Sequence, residues 1–408
     1  MDTGKLKISV QSTVGIKPVE GAKITLRSTG NPTKILETSI TDNSGRTEFP
    51  ELMTPPLEYS MQPEMSQPYS LYTIEVESEG YGNVTINGIE VMPDETSLQT
   101  VQMRPVESGG SEQNIVIDNN TLFEEYPGKM PEAELKPLPE SGEIVLSRVV
   151  VPEIVVVHDG APGDSSAKDY YVPYADYIKN VASSEIYATW PRETIKANVL
   201  AIMSFTLNRV YTEWYRNKSY DFTITSSTAY DHKWSRGRNV FESISGVVDE
   251  VFGMYLSRPN VKQPILTQYC DGKMVSCPNW MTQWGSKYLG EQNYSAIEIL
   301  RYYYGNNLYI NEAERISGIP AAWPGYNLDV GATGPKVKQI QEQLYTISTA
   351  YPAITPISAD GIYGPKTKTA VEQFQKIFNM PVTGVVDYAT WYKISQIYVG
   401  VTRIAELT

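Results

Sequence analysis

Histidine and cysteine are almost missing from this chain, two of each in 408 residues. His158 and His232 stand far apart, and Cys270 and Cys277 share the string YCDGKMVSC. By spacing alone that inventory is too thin for a structural zinc centre. A short disulfide or two free thiols account for the cysteines better than zinc shared with a histidine. Serine or cysteine nucleophiles would have to recruit one of two imidazoles, and neither sits in a nucleophile motif. Catalysis, if the chain performs any, falls to carboxylates, with no metal and no cofactor called for. Positive charge is also short: 34 Lys and Arg face 47 Asp and Glu, a net charge of -13. That balance argues against a phosphate-backbone partner and so against nucleic acid. No apolar run approaches the roughly 18 residues of a membrane span. The opening MDTGKLKISVQS lacks a signal-peptide layout, so either the chain stays in the cell that made it or a leader is not part of this sequence.

What is present divides into four stretches. Residues 1–105 alternate apolar and polar positions in KLKISVQ, AKITLRS and YTIEVESEGYGNVTINGIEV, with a turn at TDNSGRTEF, and read as an all-β sandwich. Residues 106–150 lose periodicity and fill with proline, glycine and acidic residues, which is a linker by composition. It is either a passive tether or a protease-accessible pro-segment. Residues 151–315 mix strand and helix signals, an α+β pattern. There VFESISGVVDEVFGMYL reads as one amphipathic helix and QPILTQYCDGKMV as a hairpin. Residues 320–398 form a smaller helical domain of three helices. Two of them follow Gly-Pro starts, in GPKVKQIQEQLYTI and GPKTKTAVEQFQKIF, as an internal pseudo-repeat.

One residue breaks its pattern. Ile178, Val181 and Ala182 lie on one helical stripe, and its next members are Glu185 and Ile186. A carboxylate on the packed face has its pKa raised by burial. A glutamate tuned toward neutrality can protonate a glycosidic oxygen. The plainer alternative is a helix-end Glu paired with Lys179, Arg192 or Lys196.

Three resemblances bear on these stretches. PVEGAKITL, TDNSGRT and YTIEVESEGY resemble carboxypeptidase-regulatory-like, prealbumin-type sandwiches, which implies a folded accessory module without catalysis. The string from LDVGATGPKVKQIQEQL through ADGIYGPKTKTAVEQFQ to DYATWYKI resembles the peptidoglycan-binding domain of bacterial wall hydrolases. That implies glycan or stem-peptide binding, with Tyr363 and Gln375 as ligand candidates. YIKNVASSEIYATWPRETIKANVL and NWMTQWGSKYLGEQNYSAIEILRYYYG resemble the catalytic core of stage II sporulation protein D lytic transglycosylases. The match rests on Val181, Glu185, Trp190, Pro191, Lys196, Gln283, Trp284 and Gly285, with CPNW where that family often carries His-Gly. By that resemblance Glu185 is the catalytic acid, Gln283 and Trp284 contact sugar, and Ser226, Ser227, Thr228 and Asp231 line the cleft.

The whole arrangement resembles the SleC-type spore cortex-lytic enzymes of clostridia. It implies a zymogen stored in the cortex or coat region of the bacterial spore. A subtilisin-like germination protease would cut it near Ser147, Arg148, Val149, Val150 and Val151, and the product would degrade cortex peptidoglycan. Glu185 would protonate the oxygen between N-acetylmuramic acid and N-acetylglucosamine. It would then accept the proton of the muramic C6 hydroxyl as that oxygen closes a 1,6-anhydro ring. The alternatives are a muramidase that uses water, with Asp231 as second carboxylate, and a wall-binding scaffold without catalysis.

Overall fold

The computed structural model describes residues 2–13, 18–63, 66–136, 149–152, 154–220, 222–315, 327–378 and 380–402. The N-terminal strands are β1 (Asp2–Ser12), β2 (Lys23–Ser28), β3 (Asn31–Ile40) and β4 (Arg46–Thr54). After one helical turn, α1 (Glu58–Met61), come β5 (Ser70–Glu77), β6 (Val84–Val91), β7 (Thr96–Met103) and β8 (Gln113–Val116). One sheet runs β3-β2-β5-β6-β8, and the other holds β7-β1-β4. Their inner faces share one core, because Leu6, Ile8 and Val10 point inward from β1 while the residues between them face out. The 42–46 turn depends on Asp42, whose Oδ1 accepts the N–H groups of Ser44 and Arg46, both at 2.9 Å. Gly45 has φ +72°, and a Cβ there would lie 2.4 Å from the Val10 carbonyl oxygen, so glycine is required on two counts.

The central region begins with β9 (Val150–Val151), β10 (Ile154–His158) and β11 (Asp169–Pro173). Helices α2 (Tyr174–Glu185) and α3 (Arg192–Tyr211) follow. Then come β12 (Ile224–Thr225), β13 (Val240–Phe241), α4 (Glu242–Glu250) and β14 (Met254–Ser257). The expected single helix over residues 240–256 is therefore a shorter helix between two strands, because Gly253 at φ +83° turns the chain. The expected hairpin is also different. β15 (Tyr269–Cys270) pairs in parallel with β16 (Met281–Thr282), and Cys270 and Cys277 close the loop between them as a disulfide. α5 (Gln283–Glu291), α6 (Ala296–Tyr304), β17 (Tyr309–Glu312) and β18 (Glu314–Arg315) complete the region. α3 is its axis: Leu200, Ala201, Phe205 and Leu207 are as buried as Ile195, Val199, Ile202 and Met203. A helix apolar all round needs neighbours on every side, and α4, α5, α6 and β14 supply them.

The last region holds α7 (Pro335–Ala350), α8 (Pro365–Ile377) and α9 (Tyr388–Thr402) around a separate core. Its pseudo-repeat extends to side-chain chemistry. Gln341 on α7 accepts the Gly361 N–H at 2.8 Å, and its amide reaches the Ile362 carbonyl and the Thr367 hydroxyl. Gln375 on α8 accepts the Gly384 N–H at 2.9 Å and reaches the Val385 carbonyl and the Thr390 hydroxyl. Each glutamine clamps the loop that follows its own helix.

The first two regions are joined by more than a tether. β13 pairs antiparallel with β7, so a central strand continues the N-terminal sheet. Beside it Arg238 and Glu90, both with fully buried side chains, form an ion pair at 2.7 Å. The stretch expected to be a linker is likewise seated. Ile117, Asn120, Leu122 and Lys136 are buried against the molecule. Its proline-rich, acidic composition reads as solvated chain because, apart from the local Lys136–Glu132 pair, its charges find partners more than 70 residues away. Among them, Glu132 meets Arg209 at 2.6 Å and Glu134 meets Arg258.

Candidate active site

Glu185 ends α2, where Ile186 turns extended, and its side chain faces inward with only 3% of the residue exposed. None of the bases anticipated as partners reaches it. Lys179 pairs with Asp249, and Arg192 and Lys196 both pair with Glu250. Its oxygens are instead held by two donors from distant parts of the chain. The Lys233 N–H donates to Oε1 at 2.6 Å, and the Tyr269 hydroxyl donates to Oε2. Gln283 fixes the backbone, its side-chain amide donating to the Glu185 carbonyl at 3.0 Å. The carboxyl therefore has a defined orientation in an apolar surround. Burial pushes its pKa up, while the Lys129 ammonium, the Tyr269 hydroxyl and Lys233 pull the other way. A carboxyl oriented by these donors and pushed toward its protonated form by burial suits general-acid work.

The aromatic floor is His232 stacked on Tyr269, with ring centroids 5.9 Å apart and planes 13° from parallel. The Tyr177 hydroxyl lies 3.0 Å from His232 Nδ1. Burial drives the His232 pKa well below its ordinary value, and Lys129 and Arg209 add to the effect, so this imidazole stays neutral near pH 7. To one side Trp284 packs on Trp190, centroids 5.0 Å apart, and on Tyr187. Trp284 is half-buried, so part of its ring faces outward. Gly285 beside it leaves room for its neighbours, since a Cβ would lie 2.1 Å from the Tyr303 hydroxyl oxygen and 2.2 Å from the Thr282 hydroxyl and would have to displace both.

The other anticipated cleft residues divide. Ser226, Ser227 and Thr228 form the turn after β12. The Ser226 hydroxyl donates to Asp159, and Ser227 accepts the N–H groups of Tyr230 and Asp231. Asp231 is completely buried and fully engaged. It accepts from Arg209 Nε at 2.7 Å, the Tyr215 hydroxyl at 2.6 Å, and the Thr225 N–H and hydroxyl. That geometry braces the turn and leaves no carboxylate oxygen directed at a sugar. Gln283 likewise positions Glu185 through its only described donor contact, and does not project into open space. In the C-terminal region Tyr363 and Gln375 are each 1% exposed. The Tyr363 hydroxyl donates to the Gly384 carbonyl, and Gln375 is the loop clamp already described. Both face the inside of their bundle.

Val149 and Val151 are buried and β9 pairs with β18, while Ser147 and Arg148 lie outside the described residues. Among the described residues no group of three or more His, Cys, Asp or Glu gathers as metal ligands would. No helix there is long and apolar enough to cross a membrane.

Sequence reasoning did not find Tyr269, the Lys233 N–H, His232 or Lys129. The first three lie some 47 to 84 residues from Glu185, and a backbone donor has no sequence signature. Lys129 comes from the presumed linker. Its ammonium donates to the Asp231 carbonyl and lies 5.2 Å from the Phe205 ring centroid and 5.3 Å from that of Tyr269.

The Tyr269 contact gives a signed expectation. A donor to the carboxylate favours its ionised form. Tyr269→Phe removes that donor and raises the Glu185 pKa further, so the protonated acid persists to higher pH. The falling alkaline limb of kcat/KM should move upward in the variant. An unmoved limb would remove Tyr269 from any part in tuning this group.

In comparison with known proteins, two stretches of the chain match family models. Residues 165–257 match the model for "Stage II sporulation protein" and residues 333–394 that for "Putative peptidoglycan binding domain". The zinc D-Ala-D-Ala carboxypeptidase of Streptomyces albus G is 34% identical over 76 residues, 18% of this chain and 28% of that protein. Among solved structures, the SleB N-terminal domain is 26% identical, covering 19% of this chain and 99% of its own, with a TM-score of 0.17. Transthyretin from Sparus aurata is 12% identical over 24% of this chain and 89% of its own, with a TM-score of 0.15. Glu185 lies inside the first of the two matched stretches, and the second coincides with the three-helix C-terminal region.

Proposed function

We propose that this chain is the zymogen of a spore cortex-lytic enzyme of the SleC type, a lytic transglycosylase that cleaves the N-acetylmuramic acid–N-acetylglucosamine bond. The observation that carries the reading is Glu185. It is a buried, oriented carboxyl with a raised pKa, inside the stage II sporulation match, on a chain that also carries a peptidoglycan-binding domain. Glu185 gives its proton to the glycosidic oxygen as the C1–O bond breaks. The resulting carboxylate takes the proton of the muramic C6 hydroxyl, whose oxygen bonds to C1. An internal nucleophile gains its rate from proximity and needs no held water. The full engagement of Asp231 favours this one-acid route over a muramidase with two carboxylates.

The N-terminal sandwich, read as a prealbumin-type accessory module, and the segment after it restrain the enzyme until it is cut. The α1 turn supports this: the Trp190 indole N–H donates to the Ser60 carbonyl at 2.9 Å, against the Trp190–Trp284 face. Burial of Val149 and Val151 supports an activating cut on the N-terminal side of Val149, made by a subtilisin-like germination protease of the spore cortex or coat region.

The test is cortex peptidoglycan incubated with the chain before and after cleavage, with products read by mass spectrometry. The cut chain should release muropeptides ending in anhydro-muramic acid, one water lighter than hydrolysis products, and the uncut chain should release none. Reducing muramic ends would replace the transglycosylase with a muramidase. Equal activity in both samples would end the zymogen reading.

A further inference from the structure

The α1 turn and the residues after it lay a run of carbonyl oxygens on donors of the central region. The Trp190 indole N–H donates to the Ser60 carbonyl at 2.9 Å, the Lys287 ammonium to the Met61 carbonyl at 2.5 Å, and the Lys273 ammonium to the Pro63 carbonyl. The Thr189 hydroxyl donates to the Ser60 hydroxyl at 2.8 Å. Three main-chain carbonyls within four residues thus meet three separate donors, and Met61 also packs on the central core. Each donor is fixed from its own side. Lys287 stands on α5 one turn after Gln283, buried, with Glu291 at 2.7 Å sharing its charge. Lys273 sits in the loop that the Cys270–Cys277 disulfide closes. Asp271 braces that loop, accepting the N–H groups of Lys273 at 3.2 Å, Met274 at 2.6 Å and Val275 at 2.9 Å. Trp190 carries Trp284 on its face, and Gln283, next to Trp284, holds the Glu185 carbonyl. The donor set is therefore tied to the acid through one residue.

We propose that these donors are a substrate subsite which the α1 turn fills in the uncut chain: Lys273, Lys287 and the Trp190 indole take amide carbonyls of the peptidoglycan strand, from the acetamido groups of its sugars or from its stem peptides. Both sources carry the group that Ser60, Met61 and Pro63 now present, a secondary-amide oxygen. Lysines near a helix end commonly cap its last carbonyls. That accounts for Lys287 at Met61 and fails for Lys273, because Pro63 lies beyond the single turn of α1. Once the N-terminal piece leaves, the Trp190 N–H loses its acceptor and the Lys273 ammonium has no other contact among the described residues. A polar group left without its partner is costly where water is excluded, so a ligand rich in carbonyls regains what the turn supplied. The inference rests on the reading of the chain as a peptidoglycan-cleaving zymogen.

The test is kinetic, on cut chains carrying Lys273→Met or Lys287→Met. The substrates are cortex peptidoglycan and the same cortex stripped of its stem peptides by an amidase. Each change should raise KM about 10-fold or more on intact cortex, the loss expected of a hydrogen bond from a charged donor, with the effect in KM rather than kcat. A rise confined to intact cortex identifies the stem peptide as the source of the carbonyls. An equal rise on both substrates identifies the acetamido groups. Lys273→Arg keeps a charged donor and should stay near the parent KM. An unchanged KM on both substrates, or a fall in kcat alone, overturns the proposal. If Lys287→Met, at a buried position, fails to fold, Lys273→Met on its exposed loop decides alone. Binding is scored separately, by titrating a soluble disaccharide-peptide fragment of cortex into cut chains that carry Glu185→Gln. A 10-fold loss of binding in the lysine variants, with no cortex degradation by the parent, leaves the subsite standing and removes the cleavage reading. Cortex degradation with KM unmoved removes the subsite alone.

Discussion

Glu185→Gln in the cut chain should lower cortex degradation by about 10²- to 10⁴-fold, the usual contribution of a positioned general acid, and leave binding to the wall intact. The fold has no reason to change. The amide oxygen can still accept the Lys233 N–H, and the amide NH2 can donate to the Tyr269 oxygen in place of the bond that Tyr269 now gives. Burying a neutral amide costs less than burying a carboxylate, so the variant should unfold no earlier than the parent. Turbidity loss of cortex fragments measures the first effect, co-sedimentation with them the second, and a thermal melt the third. A wall-binding scaffold predicts no loss in any of the three. If turbidity loss persists at the parent rate, position 185 is not the acid.

The inward placement of Glu185 was legible because a helical stripe has a period, and a carboxylate on the apolar side of it stands out. Glu185 is accordingly inside, as are Ile178, Val181 and Ala182 on the same stripe. The Gly-Pro helix starts and the alternation of β1 were legible for the same reason: each is a local rule read over a few residues. What surrounds Glu185 was not legible, because it is assembled by tertiary contacts. Tyr269 and Gln283 arrive from 84 and 98 residues downstream, and Lys129 from a stretch whose composition signals solvated chain. The glutamate's plain alternative, pairing with Lys179, Arg192 or Lys196, fails because the facing helix offers those bases Asp249 and Glu250. Residues chosen by motif alone, Tyr363, Gln375 and Asp231, illustrate the opposite hazard. A polar side chain that recurs in a motif can be there to satisfy buried backbone or a buried guanidinium.

Asp231 turns that distinction into a measurement. If it contacts sugar, Asp231→Ala should raise KM and leave stability alone. The structure predicts the reverse. The change leaves the Arg209 guanidinium, with no exposed side-chain surface, without its Nε partner, and removes the carboxylate that accepts from the Tyr215 and Thr225 hydroxyls. Breaking a buried pair by removing one member costs about 3–5 kcal/mol. The size should depend on the state of the chain. In the uncut protein Arg209 keeps Glu132, which accepts two hydrogen bonds from it. Once the N-terminal piece has left, Glu132 is gone and the guanidinium has neither carboxylate. Denaturant unfolding of the central region should therefore show the variant losing more stability in the separated enzyme than in the uncut chain. Equal losses in the two states would mean that Glu132 does not compensate Arg209. An unchanged midpoint with a raised KM would return Asp231 to the substrate groove.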